Sequence, residues 1–123
     1  MQYDIKAKNI ELSDAIRSAV DEKMAALDEV TARFGEVVRG EVEVGKTTKH
    51  HKKGPLFRAE IHVILPSKVV YAEALNYDLY IAINDAKKEA ERQIVEFRRE
   101  LDAKQKRGGR QAKEDAQGSG LAG

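Results

Sequence analysis

The chain has 123 residues, of which 41% are hydrophobic and 35% are charged, and its formal net charge is +1. This length supports one domain with one core. Cysteine is absent, which excludes disulfides and thiolate metal sites. The first residues lack the apolar stretch of a signal peptide, and no apolar run approaches the roughly 20 residues that a membrane-spanning helix needs. We therefore predict a soluble, cytoplasmic protein.

The first part of the chain predicts a strand followed by a helix. Residues 3–7 alternate between apolar and polar side chains, which is the two-residue period of a strand. Ser13 is a favourable N-cap for the segment that follows. Apolar residues then recur at helical spacing, and Gly35 is a stop signal, so a helix is predicted over residues 13–33.

The middle of the chain predicts three strands in close succession. Apolar and polar residues alternate over residues 38–44, 57–65 and 70–74. The polar stretch 45–55, bounded by Gly and ending in Pro, is predicted to be a loop or a frayed hairpin end, and residues 66–68 to be a turn. Connections this short favour antiparallel pairing of the three strands.

A second, longer helix is predicted after Asn76 or Asp78, either of which is a suitable cap. It carries a regular apolar stripe made of Leu79, Ile83, Ala86, Ala90, Ile94, Phe97 and Leu101. The helix is predicted to end near Lys104. We expect residues 1–104 to form the folded domain and residues 105–123 to be a disordered, basic, glycine-rich tail, because they contain too little apolar surface to order themselves.

These elements follow one another as β-α-β-β-β-α and predict an α+β fold. The economical arrangement is a four-stranded sheet with both helices packed on one face. The first two strands flank a helix, so they are predicted to be parallel, with a right-handed crossover.

Positive charge is concentrated in two segments. Residues 45–68 carry six basic side chains against one acidic, and residues 105–113 carry four basic side chains and no acid. Both predicted helices are slightly acidic and contain Lys-Glu and Arg-Glu pairs at helical spacing, which support a solvated helix. The four lysines and two histidines of residues 46–53 repel one another, so a polyanionic partner is the favoured explanation for them.

The remaining candidate sites are weaker. His50 and His51, with a distant His62, make a poor metal site because no Cys and no nearby acid accompanies the pair. No Ser-His-Asp set, phosphate-binding glycine loop or HExxH motif is present, so neither an enzyme nor a cofactor or metal is predicted. Tyr80 is predicted to be partly in the core, whereas Tyr71 and Tyr77 are predicted to be exposed and able to stack on a base.

Several blocks of sequence together resemble one family. These are Asn9-Ile10-Glu11-Leu12-Ser13-Asp14-Ala15-Ile16-Arg17, Phe57-Arg58-Ala59-Glu60, Ala72-Glu73-Ala74, Asp78-Leu79-Tyr80 with Ala82-Ile83-Asn84, and Arg92-Gln93-Ile94. Over residues 3–104 the chain resembles the short ribosome hibernation-promoting factors, also called ribosome-associated translation inhibitors or sigma-54 modulation proteins. The stretch from Gly45 to Gly54 resembles the loop of one branch of that family.

The resemblance implies a fold similar to double-stranded-RNA-binding domains and a ribosomal partner. It implies binding to rRNA in the decoding region of the small subunit, occlusion of the tRNA and mRNA sites, inhibition of translation and preservation of idle ribosomes. The resemblance and the charge pattern together predict these RNA-binding residues: Arg17, Lys23, Lys46, Lys49, His50, His51, Lys52, Lys53, Lys87, Lys88, Arg92, Arg98 and Arg99.

The chain also departs from the family pattern. Ala26 and Glu89 stand where lysine is common in the family, and Tyr71 replaces a frequent arginine, which shifts the expected affinity toward the loop and the tail. We expect no second, C-terminal dimerisation domain, no membrane partner and no small-molecule substrate. The alternatives left open are an RNA-binding or transcription-modulating protein that acts away from the ribosome, and a metal enzyme.

Overall fold

The computed structural model describes the backbone of residues 1–51 and 54–122 and the side chains of residues 1–47 and 54–108. The elements, in chain order, are β1 (Gln2–Lys8), α1 (Asp14–Thr31), a 3₁₀ segment (Ala32–Val37), β2 (Arg39–His51), β3 (Gly54–Leu65), β4 (Lys68–Asn76) and α2 (Leu79–Ala122). The predicted α+β class and the order β-α-β-β-β-α are confirmed.

The four strands form one mixed sheet in the order β1-β2-β3-β4. β1 pairs with β2 in parallel, with Ile5 opposite Val42, whereas β2–β3 and β3–β4 are antiparallel. The parallel pairing follows from the intervening helix, because a crossover element is needed to bring the chain back to the same end of the sheet. α2 packs against β3, β4 and α1.

The core lies between the sheet and the helices. The two-residue period of the strands places alternate residues on this side, and the helices supply their apolar stripes. The buried side chains with the largest volumes include Met24, Leu27, Ile61, Ile83 and Ile94. Thr31, a buried polar residue, satisfies its hydroxyl by donating to the Leu27 carbonyl at 3.0 Å.

Side-chain caps begin both helices. The Ser13 hydroxyl accepts a hydrogen bond from the Ile16 amide at 3.2 Å. The Asp78 carboxylate accepts from the amides of Tyr80 and Ile81 at 2.9 and 3.3 Å, so Asp78 is the cap of α2. Asn76, the other candidate, instead accepts from the Asp78 amide. These caps satisfy amides that have no partner inside the first helical turn.

Gln93 on α2 covers the outer edge of β4. Its side-chain nitrogen donates to the Tyr71 carbonyl at 2.7 Å, and its side-chain oxygen accepts from the Tyr71 amide at 3.3 Å. One amide side chain thus takes the place of the neighbouring strand that an edge residue lacks.

The predicted boundaries of two elements in the first half are wrong. α1 ends at Thr31 rather than near residue 33, because the chain tightens into the 3₁₀ segment, where Gly35 adopts a left-handed φ of 76°. β2 does not end at residue 44 but extends to His51, so that residues 45–55, predicted to be a loop or a frayed hairpin end, belong to the β2–β3 hairpin, with a register shift between Lys46 and His50. Ladder hydrogen bonds use the backbone alone, so the opposing β3 can extend the pairing through a polar sequence.

The predicted end of α2 near Lys104 is also wrong, since its helical backbone continues to Ala122. The added segment contains three Ala, three Gln, two Lys and two Arg, which favour helix. An existing helix grows by one hydrogen bond for each residue it fixes, and this acts against the cost of about 1 kcal/mol at each of Gly108, Gly109, Gly118 and Gly120. The division into a domain of residues 1–104 and a disordered tail of residues 105–123 stays a prediction.

Candidate nucleic-acid interface

The outer face of α2 carries an exposed cationic stripe. Lys88, Arg92 and Arg99 line one shallow depression, together with Glu91, Val95 and Glu96. These residues recur at steps of three and four, so they occupy one side of the helix, away from the buried stripe that includes Ala86, Ala90 and Ile94. The structure therefore brings three of the predicted RNA-binding residues together, with two acids between them.

Arg92 is held between two carboxylates. Its guanidinium donates to both oxygens of Glu89, at 2.7 and 3.0 Å, and to Glu96 at 2.9 Å. Hydrogen bonds from Arg92 and then from Gln93 lower the pKa of the Glu89 carboxyl to about 2. The contacts of Arg92 with Glu89, and after them those with Glu96, raise the pKa of Arg92. The positive charge of Arg92 is therefore compensated within the protein.

Lys87 and Arg98, also predicted to bind RNA, are less accessible. Lys87 donates to Glu91 at 2.7 Å, and its side chain is only 19% exposed. Arg98 is half-buried, and its Nε atom has no hydrogen-bond partner among the residues that the structure describes. Neither lines the depression that holds Lys88, Arg92 and Arg99.

α1 adds two basic residues to a largely acidic surface. Arg17 is exposed, and Lys23 is half-buried with its ammonium 3.9 Å from Glu22. Exposed Asp14, Asp21 and further acids share the helix. α1 on its own therefore offers little net attraction to a polyanion.

The β2–β3 hairpin carries the largest group of predicted contacts. Lys46 is exposed on β2, where it pairs with Phe57 of β3. The side chains of Lys49, His50 and His51, and the whole of Lys52 and Lys53, lie outside the described residues. Only Lys46 of this group is therefore placed by its side chain.

The hairpin and the helical cations lie at different ends of the molecule. Phe57 pairs with Asn76, just before the start of α2, whereas Lys88 and Arg99 follow Leu79 by 9 and 20 residues. At about 1.5 Å per residue, these cations lie roughly 14 to 30 Å along the helix from its first turn. Lys46 and the predicted cations of α2 therefore lie in two separate zones.

Exposure of the tyrosines differs in part from prediction. Tyr71 and Tyr77 are 41% and 46% exposed, as predicted, but Tyr80 is 49% exposed and not partly in the core. The buried stripe passes through Leu79 and Ile83, and one residue along a helix turns a side chain by about 100°. That rotation directs Tyr80 away from the core.

The helix-free face of the sheet carries a compact polar network. Arg58 contacts Glu60 at 3.3 Å and Glu73 at 3.0 Å, and Tyr71 donates its hydroxyl hydrogen to Glu73 at 2.7 Å. The hydrogen bond from Tyr71, followed by that from Arg58, lowers the pKa of the Glu73 carboxyl. The hydrogen bond to Glu73 raises the pKa of Tyr71 to about 12. These charges are paired on the face itself.

The described part of the chain contains neither a metal-binding cluster nor a membrane-spanning helix. Residues 1–47 and 54–108 contain no group of three or more His, Asp or Glu side chains arranged to hold a metal ion. Among the described helices, none combines the length and apolarity needed to cross a membrane.

The comparison with known families settles which family the fold represents. The profile of the sigma 54 modulation protein / S30EA ribosomal protein family matches residues 3–102. The chain belongs to this family. The match covers α1, the four strands except the first residue of β1, and α2 as far as Asp102, and the predicted family is confirmed.

Two curated relatives are named ribosome hibernation promotion factor. The protein from Deinococcus radiodurans is 29% identical over 128 residues, which cover 98% of this chain and 64% of the relative. The protein from Lactococcus lactis subsp. cremoris is 30% identical over 106 residues, which cover 85% of this chain and 53% of the relative. The S30EA-family chain thus spans between about half and two thirds of the length of these relatives.

Two solved structures share the fold. The N-terminal domain of Thermus thermophilus Protein Y is 32% identical, with a TM-score of 0.63 over 79% of this chain and 99% of that one. A ribosomal subunit interface protein from Coxiella burnetii is 16% identical, with a TM-score of 0.61 over 80% of this chain and 98% of that one. At that identity the second likeness concerns the fold alone.

Sequence reasoning missed one feature that bears on the S30EA-family surface. The i,i+4 pairs Lys87–Glu91 and Arg92–Glu96 were predicted and are confirmed. The contact of Arg92 with Glu89 was not predicted, although the i,i+3 spacing would have indicated it.

Proposed function

We propose that this protein is a ribosome hibernation factor of the cytoplasm. It binds rRNA in the decoding region of the small ribosomal subunit, occupies the sites of tRNA and mRNA, inhibits translation and preserves idle ribosomes. The observation that carries this proposal is the family match over residues 3–102, which includes nearly the whole folded body. The names of the curated relatives support it.

The proposed mechanism is occlusion and needs no chemical step. A compact body that fills the volume of tRNA and mRNA prevents their binding directly. Phosphate contacts supply affinity and orientation without reading sequence. The described residues fit this role, since their basic side chains lie on helix and hairpin surfaces rather than around a reactive cleft.

The two cationic zones predict how the protein contacts rRNA. We propose that the hairpin, with Lys46, Lys49, His50, His51, Lys52 and Lys53, supplies most of the affinity. The stripe of Lys88, Arg92 and Arg99 adds a second contact, and Arg17 and Lys23, on the neighbouring helix α1, complete the proposed set. Because acids compensate the helical zone, the hairpin has the larger net attraction.

Simultaneous replacement of Lys49, Lys52 and Lys53 by Ala tests the hairpin. We expect weaker cosedimentation with small ribosomal subunits and a flatter dependence of log affinity on log salt, since each lost phosphate contact removes roughly 0.7 to 0.9 from the slope. The matched control replaces Lys6, Lys68 and Lys104, three exposed lysines elsewhere, and causes the same change in net charge. Equal effects of the two triple variants would contradict a hairpin contact.

A separate experiment tests whether the protein occupies the mRNA and tRNA sites and whether its binding inhibits translation. We expect small subunits loaded with mRNA and tRNA to retain less of the protein than empty subunits, and added protein to reduce peptide synthesis in a purified translation system. Retention without inhibition would overturn occlusion. Binding to free RNA but not to ribosomal particles would favour an RNA-binding protein that acts elsewhere.

A further inference from the structure

We infer that a groove at the hairpin end of the molecule binds one unpaired nucleobase of single-stranded RNA. This inference rests on the proposed function and specifies which part of the RNA the protein recognises besides phosphate. The groove, called here the tyrosine groove, is lined by Ile10, Ile16, Phe57, Tyr77, Asp78, Leu79 and Tyr80.

The groove forms where four parts of the fold meet. Ile10 follows β1, Ile16 lies on the first turn of α1, Phe57 lies on β3, and Leu79 begins α2. Its volume is about 410 Å³. Ile10, Ile16 and Phe57 are partly buried and pack against the core, so they form a fixed apolar floor.

The walls suit a flat aromatic ligand. Tyr77 and Tyr80 are each about half exposed, at 46% and 49%, so their rings are accessible. Single-stranded RNA presents unstacked bases that proteins hold by stacking on aromatic side chains. Asp78, the charged residue in the lining, is engaged by the amides of Tyr80 and Ile81 as the cap of α2. An apolar floor beside a carboxylate excludes phosphate itself as the occupant.

A cation, Lys46, lies beside the groove where the phosphates of such a strand would pass. Lys46 is exposed and pairs with Phe57, and paired residues project from the same side of a sheet. The Asn9 side chain donates to the Lys46 carbonyl at 3.2 Å and so joins the loop before α1 to this part of β2. Aromatic walls beside an exposed lysine match single-stranded nucleic acid.

Tyrosine fluorescence gives a direct test, because the chain has four tyrosines and no tryptophan. We expect a single-stranded RNA oligonucleotide to quench this emission and a perfectly paired duplex to quench it much less. Tyr80→Ala should weaken single-strand binding about tenfold, the typical effect of losing one base–aromatic stack. Tyr80→Phe retains the ring and should bind as the wild type does.

Ile81→Ala is the matched control, since Ile81 is the next residue, is 47% exposed and does not line the groove. Circular dichroism melts establish that each variant is folded. If Tyr80→Ala binds single-stranded RNA and small subunits as tightly as the wild type, the inference is overturned and the proposed function stands. Failure of the wild type to bind small subunits would overturn the proposed function as well.

Discussion

At the scale of single residues, the accessible charge of a side chain depends on its immediate partners. Arg92 contacts two carboxylates, whereas Lys88 in the same depression is exposed and forms no ion pair with any residue whose side chain the structure describes. An arginine that already donates to carboxylates must exchange those bonds for bonds to phosphate. Its net contribution to RNA binding is therefore smaller than its charge alone would indicate.

Glu89→Gln tests this compensation. The substitution removes the charge of one carboxylate partner of Arg92 and leaves a side chain of similar shape. We expect ribosome or RNA binding to tighten about two- to fivefold at low salt, the range for an exposed ion pair. Glu100→Gln on the same helix is the control for net charge, since Glu100 is exposed. Equal effects of both changes would show that Arg92 is not a specific contact.

At the scale of elements, the parallel pair β1–β2 depends on close approach at Gly45. Gly45 pairs with Lys8, and a Cβ atom at Gly45 would lie 2.7 Å from the Lys8 carbonyl oxygen. That oxygen belongs to the backbone, so relief of the contact requires the two strands to shift. Gly40, on the same strand, differs because a Cβ there would first meet the terminal carbon of Met24, at 2.8 Å.

The pair of variants Gly45→Ala and Gly40→Ala tests this difference. We expect Gly45→Ala to lower the free energy of unfolding by about 1 to 3 kcal/mol, the usual cost of overpacking. Gly40→Ala should cost less, because a methionine side chain can move to another rotamer. Urea unfolding measures both. A larger loss for Gly40→Ala would show that Tyr3 and Met1, also near that position, are the more rigid neighbours.

At the scale of the whole molecule, acid stability reflects carboxylates that are better stabilised in the folded chain than in the unfolded one. The pKa values of Glu73 and Glu89 are lowered from their ordinary value of 4.5, that of Glu89 to about 2. Below pH 4.5 the unfolded chain binds protons that the folded chain does not. The contribution of these groups to stability is therefore present above that pH and is lost as the pH falls toward 2.

The double variant Glu73→Gln and Glu89→Gln should show a smaller loss of unfolding free energy between pH 5 and pH 2 than the wild type. Chemical denaturation at several pH values measures this slope. Glu29→Gln, at an exposed position on α1, provides a comparison with one altered carboxylate. An unchanged slope in the double variant would contradict the assigned role of these two groups.

The architecture could be predicted from the sequence where periodicity was strong. The alternation of apolar and polar residues in β1, β3 and β4, together with the apolar stripe of α2, predicted the four-stranded sheet. The helix between the first two strands predicted their parallel pairing. The length of β2 could not be predicted, because its continuation to His51 depends on backbone pairing with β3 rather than on its own side chains. The continuation of α2 past Gly108 likewise depends on helix propagation, which side-chain pattern does not reveal.

The candidate interface was predictable as a set of residues but not as a surface. The count of basic residues identifies the hairpin. The separation of Lys46 from the cations of α2 is visible only in the strand pairing, because Lys46 pairs with Phe57, and Phe57 pairs with Asn76 just before α2 begins. The tyrosine groove depends on Ile10, Ile16 and Phe57, which are far apart in the chain. No local pattern connects them.

The contact between Gln93 and Tyr71 bears on how the protein behaves when it is abundant. A strand from a second molecule that joined the sheet at this edge would have to displace both hydrogen bonds of the Gln93 amide. Open strand edges are the usual starting point of intermolecular β-association and fibril growth. A single glutamine therefore makes this edge of the sheet a poorer template for intermolecular strand pairing.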